Sequence, residues 1–146
     1  MITHYADLVK YVCKTFFDWD GNKDEYGRQM LQYVGTDVVR KANPNYWVNF
    51  IIDMLKFFGD NWDFAIIPDA RFPNEIERFK AENYDVTHLR VERHGFDNHL
   101  TPDQQKHASE TSLDDSKPDY VIHNDGSLAD LDRNVREYIR EAIYGE

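Results

Sequence analysis

A parallel α/β sheet flanked by helices is the fold class this sequence predicts, and three observations predict it. Apolar stripes at helical spacing fill the first half of the chain. From Phe64 onward, short apolar runs of strand length alternate with further helical stripes. Turn-forming residues separate these segments. A chain of 146 residues suits a single domain, burying roughly 70% of the surface its unfolded form exposes. No repeat, low-complexity tract or internal domain boundary is visible.

The elements follow in order. Leu8, Val9, Val12, Phe16 and Phe17 recur at helical spacing behind Asp7, and Asp20-Gly21-Asn22 ends that helix. Tyr26, Met30, Leu31 and Val34 mark a second helix that continues through Val38 and Val39 despite Gly35. Pro44 forces a new start. Trp47, Val48, Ile51, Ile52, Leu55 and Phe58 then make a strong stripe closed by Gly59. Phe64-Ala65-Ile66-Ile67 has the length of a buried parallel strand and ends at Pro68-Asp69. A short helix begins at Pro73 with Ile76 and Phe79 inward, and Val86 to Val91 is a second strand. The stretch from His94 to Lys106 is polar and aperiodic, as in a mobile loop. Tyr120-Val121-Ile122 is a third strand, stopped by Asn124-Asp125-Gly126. Ser127 caps a last helix facing inward through Leu128, Leu131, Val135, Tyr138, Ile139 and Ala142. Ligand sites in such sheets lie beyond the carboxyl ends of the strands. That rule gathers Asp69-Ala70-Arg71, Arg93-His94 and Asn124-Asp125-Gly126 at one edge.

Composition narrows the function. Charged residues are 30% and apolar residues 41%, which excludes wholesale disorder. Seventeen Lys and Arg against 27 Asp and Glu give a net charge of −10. That balance disfavours direct DNA binding, although a few clustered arginines can still hold one phosphate. No apolar run approaches the ~20 residues of a membrane span, and no signal pattern opens the chain. The lone cysteine, Cys13, cannot form an internal disulfide, which fits a reducing cytoplasm. It lies on an apolar helical face, as an inert buried thiol does. The nine Phe, nine Tyr and three Trp are first of all core material.

Among residues that carry chemistry, Asp69 and Arg71 follow a strand. There, an Asp can hold Mg²⁺ or a water, and an Arg can fork onto phosphate. The competing reading is a helix-entry turn, with Asp69 as a cap before Pro73-Asn74-Glu75. Arg28, Arg40, Arg90 and Arg93 are further phosphate candidates, each with a surface salt bridge as its ordinary alternative. His94, His99 and His107 have spacings that fit no compact metal motif. No Gly-x-Ser-x-Gly occurs, and no Gly-x-x-x-x-Gly-Lys-Ser/Thr phosphate loop; Gly21-Asn22-Lys23 is no substitute.

A series of ordered motifs does stand out. Thr3-His4-Tyr5-Ala6-Asp7, Gly27-Arg28-x-x-Leu31-Gln32-x-x-Gly35-Thr36-Asp37, Trp47-Val48 and Asp69-x-Arg71-Phe72-Pro73-Asn74-Glu75 come first. Arg90-Val91-x-Arg93, His107-x-Ser109-Glu110 and Asn124-Asp125-Gly126 follow. Together they resemble the bacteriophage deoxynucleoside monophosphate kinases, a branch of the P-loop kinase fold, over essentially the whole chain. The resemblance implies transfer of the ATP γ-phosphoryl group to a deoxynucleoside monophosphate, with Mg²⁺. It places Arg71 at the acceptor phosphate and Asp69 at the metal or its waters. Arg28 and Arg40 would enclose the acceptor nucleotide, on a helical insertion over about 24–59, and Trp47 would wall its base pocket. Arg90 and Arg93 would lead into a lid over about 94–110, where arginines stabilise transferring charge. Asn124, Asp125 and Gly126 would border the donor adenine.

The departure from that family is the missing first strand, phosphate loop and helix. Met1 falls where the second strand would begin. The loop supplies the N–H cradle, the Lys and the metal-binding hydroxyl for ATP, so phosphoryl transfer should fail without it. The expectation is therefore a kinase-like pseudoenzyme that binds nucleotides. One alternative is a phage inhibitor of a host defence protein, acting as an anti-CRISPR or a signalling-nucleotide sponge. Another is a fragment of an active kinase. Loss of the central strand would also leave unpaired edges, to be met by re-pairing of the sheet or, as the favoured expectation, by a second chain in a homodimer.

Overall fold

The computed structural model describes residues 1–59, 61–97 and 99–145; Asn98, within the expected lid, lies outside them. The protein is an α/β chain with a small parallel sheet flanked by helices. It divides into two compact units, Met1–Val86 with Thr101–Asp115, and Thr87–Leu100 with Ser116–Glu146.

The first unit is built on helices. Helix α1 (Tyr5–Phe16) turns Val9 and Cys13 inward, as its stripe predicts, and Cys13 is fully buried. Helix α2 (Glu25–Gln32) is capped by Asp24, whose carboxylate accepts the Gly27 N–H at 2.8 Å. Only glycine fits at position 27, because a Cβ there would stand 2.0 Å from the Asn22 carbonyl oxygen. The helix continues as a wider π-turn segment over Tyr33–Arg40. Its Gly35 carbonyl accepts the Trp47 indole N–H at 2.8 Å, a bond that satisfies a buried polar group on each side. Helix α3 (Tyr46–Phe58) is the centre of the core, with Val48, Ile51, Ile52 and Leu55 all nearly inaccessible. Gly59 ends it at φ +51°, ψ −129°, a conformation that favours glycine. Helix α4 (Pro73–Ala81) packs on α3 and buries Phe79.

The run Phe64–Ile67 differs from its reading as a buried strand. It forms one isolated parallel bridge, Ile66 with Ile2. The Thr3 N–H donates to the Ile66 carbonyl at 3.0 Å, and the Ile66 N–H to the Met1 carbonyl at 2.9 Å. Ile2 is 68% exposed, Phe64 60% and Ile66 56%, while Ala65 and Ile67 pack half-buried against the core, so one face of the run lacks cover among the described residues. The aperiodic segment after His94 also differs from a plain loop. It holds the single-turn helix α5 (Pro102–Gln105), and a second, α6 (Ala108–Thr111), follows just after it; both belong to the first unit. Thr101 and Gln104 cap α5 reciprocally. Four-residue helices are too short to show a period in sequence.

The second unit pairs strand β1 (Leu89–Glu92) with β2 (Tyr120–His123), parallel and in the register Leu89↔Tyr120 to Glu92↔His123. Helix α7 (Leu128–Ile139) packs on β2, where Tyr120 and Tyr138 meet at 4.7 Å between ring centres and Ile122 is buried. Ser127 caps α7, as its position before the stripe predicts, and Asp130 completes the reciprocal cap. A π-turn segment, Arg140–Tyr144, ends the chain's helical structure. No helix of the described residues is long and apolar enough to cross a membrane.

Candidate functional site

The segment Asp69–Glu75 organises the first unit. Asp69 accepts the Tyr5 N–H at 3.0 Å and the Ala6 N–H at 2.9 Å, one on each carboxylate oxygen. It therefore caps α1 from 63 residues away in sequence, where it satisfies two orphan donors and faces the positive end of the helix. The cap foreseen for Asp69 was on the following helix; the helix it actually serves is the first one. Glu75, at the third position of α4, reaches back to the N–H groups of Arg71 (2.7 Å) and Phe72 (3.1 Å). Its other oxygen takes Arg40 Nη1 at 3.1 Å.

Arg40, expected at the acceptor nucleotide, is buried in this ion pair. Its guanidinium also donates to Asn74 Oδ1 and lies 3.4 Å from the Phe72 ring centre. Burial pushes the Glu75 carboxyl above its ordinary range, against the pull of the Arg71 N–H and of Arg40; burial likewise lowers Arg40. Tyr5 donates its hydroxyl to the Glu75 carbonyl at 3.2 Å, and burial raises that phenol well above its ordinary value. Asn74 Nδ2 donates to the Pro44 carbonyl at 3.0 Å and to Asn45 Oδ1 at 2.7 Å. Trp47, expected at a base pocket, is 5% exposed and lies in the core.

Arg71 differs from its neighbours. Its backbone is pinned by Glu75, but its side chain is 51% exposed and meets Glu110 Oε2 at 2.9 Å. Beside Glu110 in sequence, His107 takes the Ser109 N–H on Nδ1 and lies 3.6 Å from Asp37 through Nε2. Gln104, 5% exposed, keeps its Nε2 buried with no hydrogen-bond partner among the described residues, while its Oε1 accepts the Thr101 N–H. Glu75 and Glu110 hold Arg71, roles the sequence did not assign although it marked Pro73-Asn74-Glu75 as a helix start and Glu110 within a motif. The reciprocal spacing of Thr101 with Gln104 was a further available signal. Arg28 lies apart on α2, donating Nε to the Lys23 carbonyl at 3.0 Å.

In the second unit the expected donor-side residues gather at the carboxyl end of the strands. Asp125 accepts the His94 N–H at 2.6 Å and meets its ring Nδ1 at 2.9 Å, and the Asn124 N–H donates to Glu92 at 2.8 Å. Gly126 precedes the Ser127 cap, and a Cβ there would stand 2.7 Å from Asp130. Arg90 donates to the Ser116 carbonyl at 2.7 Å, and Arg93 lies over the Phe96 ring at 4.4 Å.

A protein-family model described as deoxynucleotide monophosphate kinase matches residues 6–135. The chain belongs to that family. The deoxynucleotide monophosphate kinase of Escherichia phage RB69 is 33% identical over 115 residues, 77% of this chain and 44% of that protein. The deoxynucleotide monophosphate kinase of Enterobacteria phage T4 is 32% identical over 118 residues, 77% of this chain and 45% of that one. The chain thus spans about half the length of the curated relatives it matches. No solved structure matches it.

Kinases of this kind imply Mg²⁺, and Asp69 is the residue the sequence offers for it. The geometry at Asp69 does not fit. Both carboxylate oxygens already accept helix N–H groups, and the positive end of α1 repels a cation there.

Proposed function

We propose that this chain binds a deoxynucleoside monophosphate, with Arg71 receiving the phosphate, and that alone it transfers phosphoryl groups inefficiently. The observation that carries the reading is the Arg71–Glu110 contact. A guanidinium on a fixed backbone, half in solvent, is held at 2.9 Å by one carboxylate. Such an exposed pair contributes about 0–1 kcal/mol. A hydrogen bond from Arg to a charged phosphate contributes about 1.5–3 kcal/mol. Exchange of Glu110 for a phosphate is therefore downhill, and Glu110 serves as the resting occupant. Catalysis is limited because none of the 146 residues forms a Gly-x-x-x-x-Gly-Lys-Ser/Thr cradle for ATP. Mg²⁺, where nucleotide chemistry does occur, would then be carried by the nucleotide's own phosphates.

Under the same reading the protein works in the cytoplasm of a phage-infected cell as a homodimer, with a second copy covering the Ile2–Ile66 edge. A second reading, a portion of an active kinase, is compatible with matching less than half of each relative's length. It makes the same claim for the monophosphate and differs only when Mg-ATP is added. Calorimetric titration of two variants tests the shared claim. Arg71→Ala should weaken monophosphate binding by about 1.5–3 kcal/mol, and Glu110→Gln should strengthen it or leave it unchanged. Equal affinity in Arg71→Ala and the parent would put the phosphate elsewhere.

A further inference from the structure

The parallel register sets Glu92 directly beside His123, so the segments that follow β1 and β2 leave the sheet at the same edge. His94 follows one strand by two residues, and Asp125 follows the other by the same interval. Their rings and carboxylate meet there. The His94 and His123 imidazoles stack with centres 6.0 Å apart and planes 27° from parallel. One ligand atom from each of His94, His123 and Asp125 lies within 4.8 Å of the others. We propose that these three side chains bind one divalent transition-metal ion of the zinc class at the carboxyl end of the two-stranded sheet.

The donor set favours that class. Two imidazoles and one carboxylate suit Zn²⁺, Co²⁺ or Ni²⁺, whereas Mg²⁺ and Ca²⁺ take oxygen ligands almost exclusively. Tetrahedral bonds of about 2.0–2.1 Å place ligand atoms about 3.3 Å apart. All three are exposed and can rotate to close from 4.8 Å, and a bound metal would replace the 2.9 Å contact between His94 Nδ1 and Asp125 Oδ2. The frame that holds them is already set. The His94 N–H anchors the Asp125 carboxylate at 2.6 Å, and Glu92 stands 3.9 Å from His123 Nδ1, positioned to orient that ring once a metal occupies its other nitrogen. Three protein ligands leave a fourth position open to water or to a ligand oxygen. His99 and His107 are engaged elsewhere, His99 with Asp97 at 3.1 Å and His107 with Asp37. This site is independent of Arg71 and needs no nucleotide.

The test is calorimetric titration of the nucleotide-free protein with zinc chloride in a non-coordinating buffer near neutral pH. One zinc per chain is expected, undisturbed by excess Mg²⁺. His94→Ala, His123→Ala and Asp125→Asn should each weaken binding about tenfold or more, and Glu92→Gln by about tenfold. His99→Ala should leave the affinity unchanged. Co²⁺ in place of zinc should give the visible absorption of a four-coordinate ion, and His123→Ala should abolish it. His94, His99, His123 and Asp125 are exposed and Glu92 is half-buried at a strand end, so circular dichroism should report an unchanged fold. Absence of zinc binding, or zinc binding that His94→Ala and His123→Ala leave intact, overturns the proposal.

Discussion

Glu75 shows how one side chain can hold several segments at once. It joins the Arg71 and Phe72 N–H groups to a guanidinium from a segment 35 residues away, all inside the first unit. Glu75→Ala leaves Arg40 as an uncompensated buried charge, and denaturant unfolding should register a loss of about 3–5 kcal/mol. Asp69 and Glu75 thus do structural work at a place where sequence suggested chemistry. The reason such roles are hard to read is physical. A carboxylate that caps a remote helix and one that holds a metal have the same neighbours in sequence, and only the distance to the Tyr5 and Ala6 N–H groups separates them. Arg71 remains the residue whose charge faces solvent, so the phosphate claim rests on it.

At the scale of elements, the long helices were legible because apolar residues at a period of 3.6 have a single low-energy arrangement against a core. The stripes of α1, α3 and α7 read correctly in part: Val9, Val48, Ile51, Ile52, Leu55 and Tyr138 turn inward, but Phe16, Phe17, Phe58, Leu128 and Ala142, at the ends of those stripes, are exposed; Ser127 did announce the last helix. Segments without a period were not legible: α5 and α6 are one turn each, and the Phe64–Ile67 run has strand composition but only one bridge. The His94, His123 and Asp125 cluster was hidden for a related reason. Local spacing cannot see a juxtaposition that only the register of two parallel strands creates. The α7 cap gives a pH prediction. Hydrogen bonds from the Ser127 hydroxyl and N–H, helped by Arg133, hold the Asp130 carboxyl down to about 2. A depressed carboxylate contributes stability above its unfolded value and loses it as pH falls through about 2. Carbon-13 titration of the side-chain carboxyls should place Asp130 there, and Ser127→Ala should return it toward the ordinary carboxylate range.

At the scale of the whole molecule, two features await partners. Ile2, Phe64 and Ile66 present an apolar strand edge to solvent within the first unit. Edges of that kind recruit another strand. Light scattering behind size exclusion should report a dimer, and Ile66→Lys should shift it to monomer; a parent protein that is monomeric at high concentration removes the homodimer from the account. The second feature is the exposed Arg71 guanidinium, proposed to receive a phosphate. Family membership makes a nucleotide the ligand to try, while the half-length match leaves activity to experiment.

The most direct measurement is calorimetric titration of the unmodified chain with deoxynucleoside monophosphates and, separately, with Mg-ATP. The account predicts saturable monophosphate binding and no binding of Mg-ATP. Failure of every monophosphate to bind would contradict its central claim, and tight binding of Mg-ATP would contradict the claim that this chain forms no working cradle for ATP.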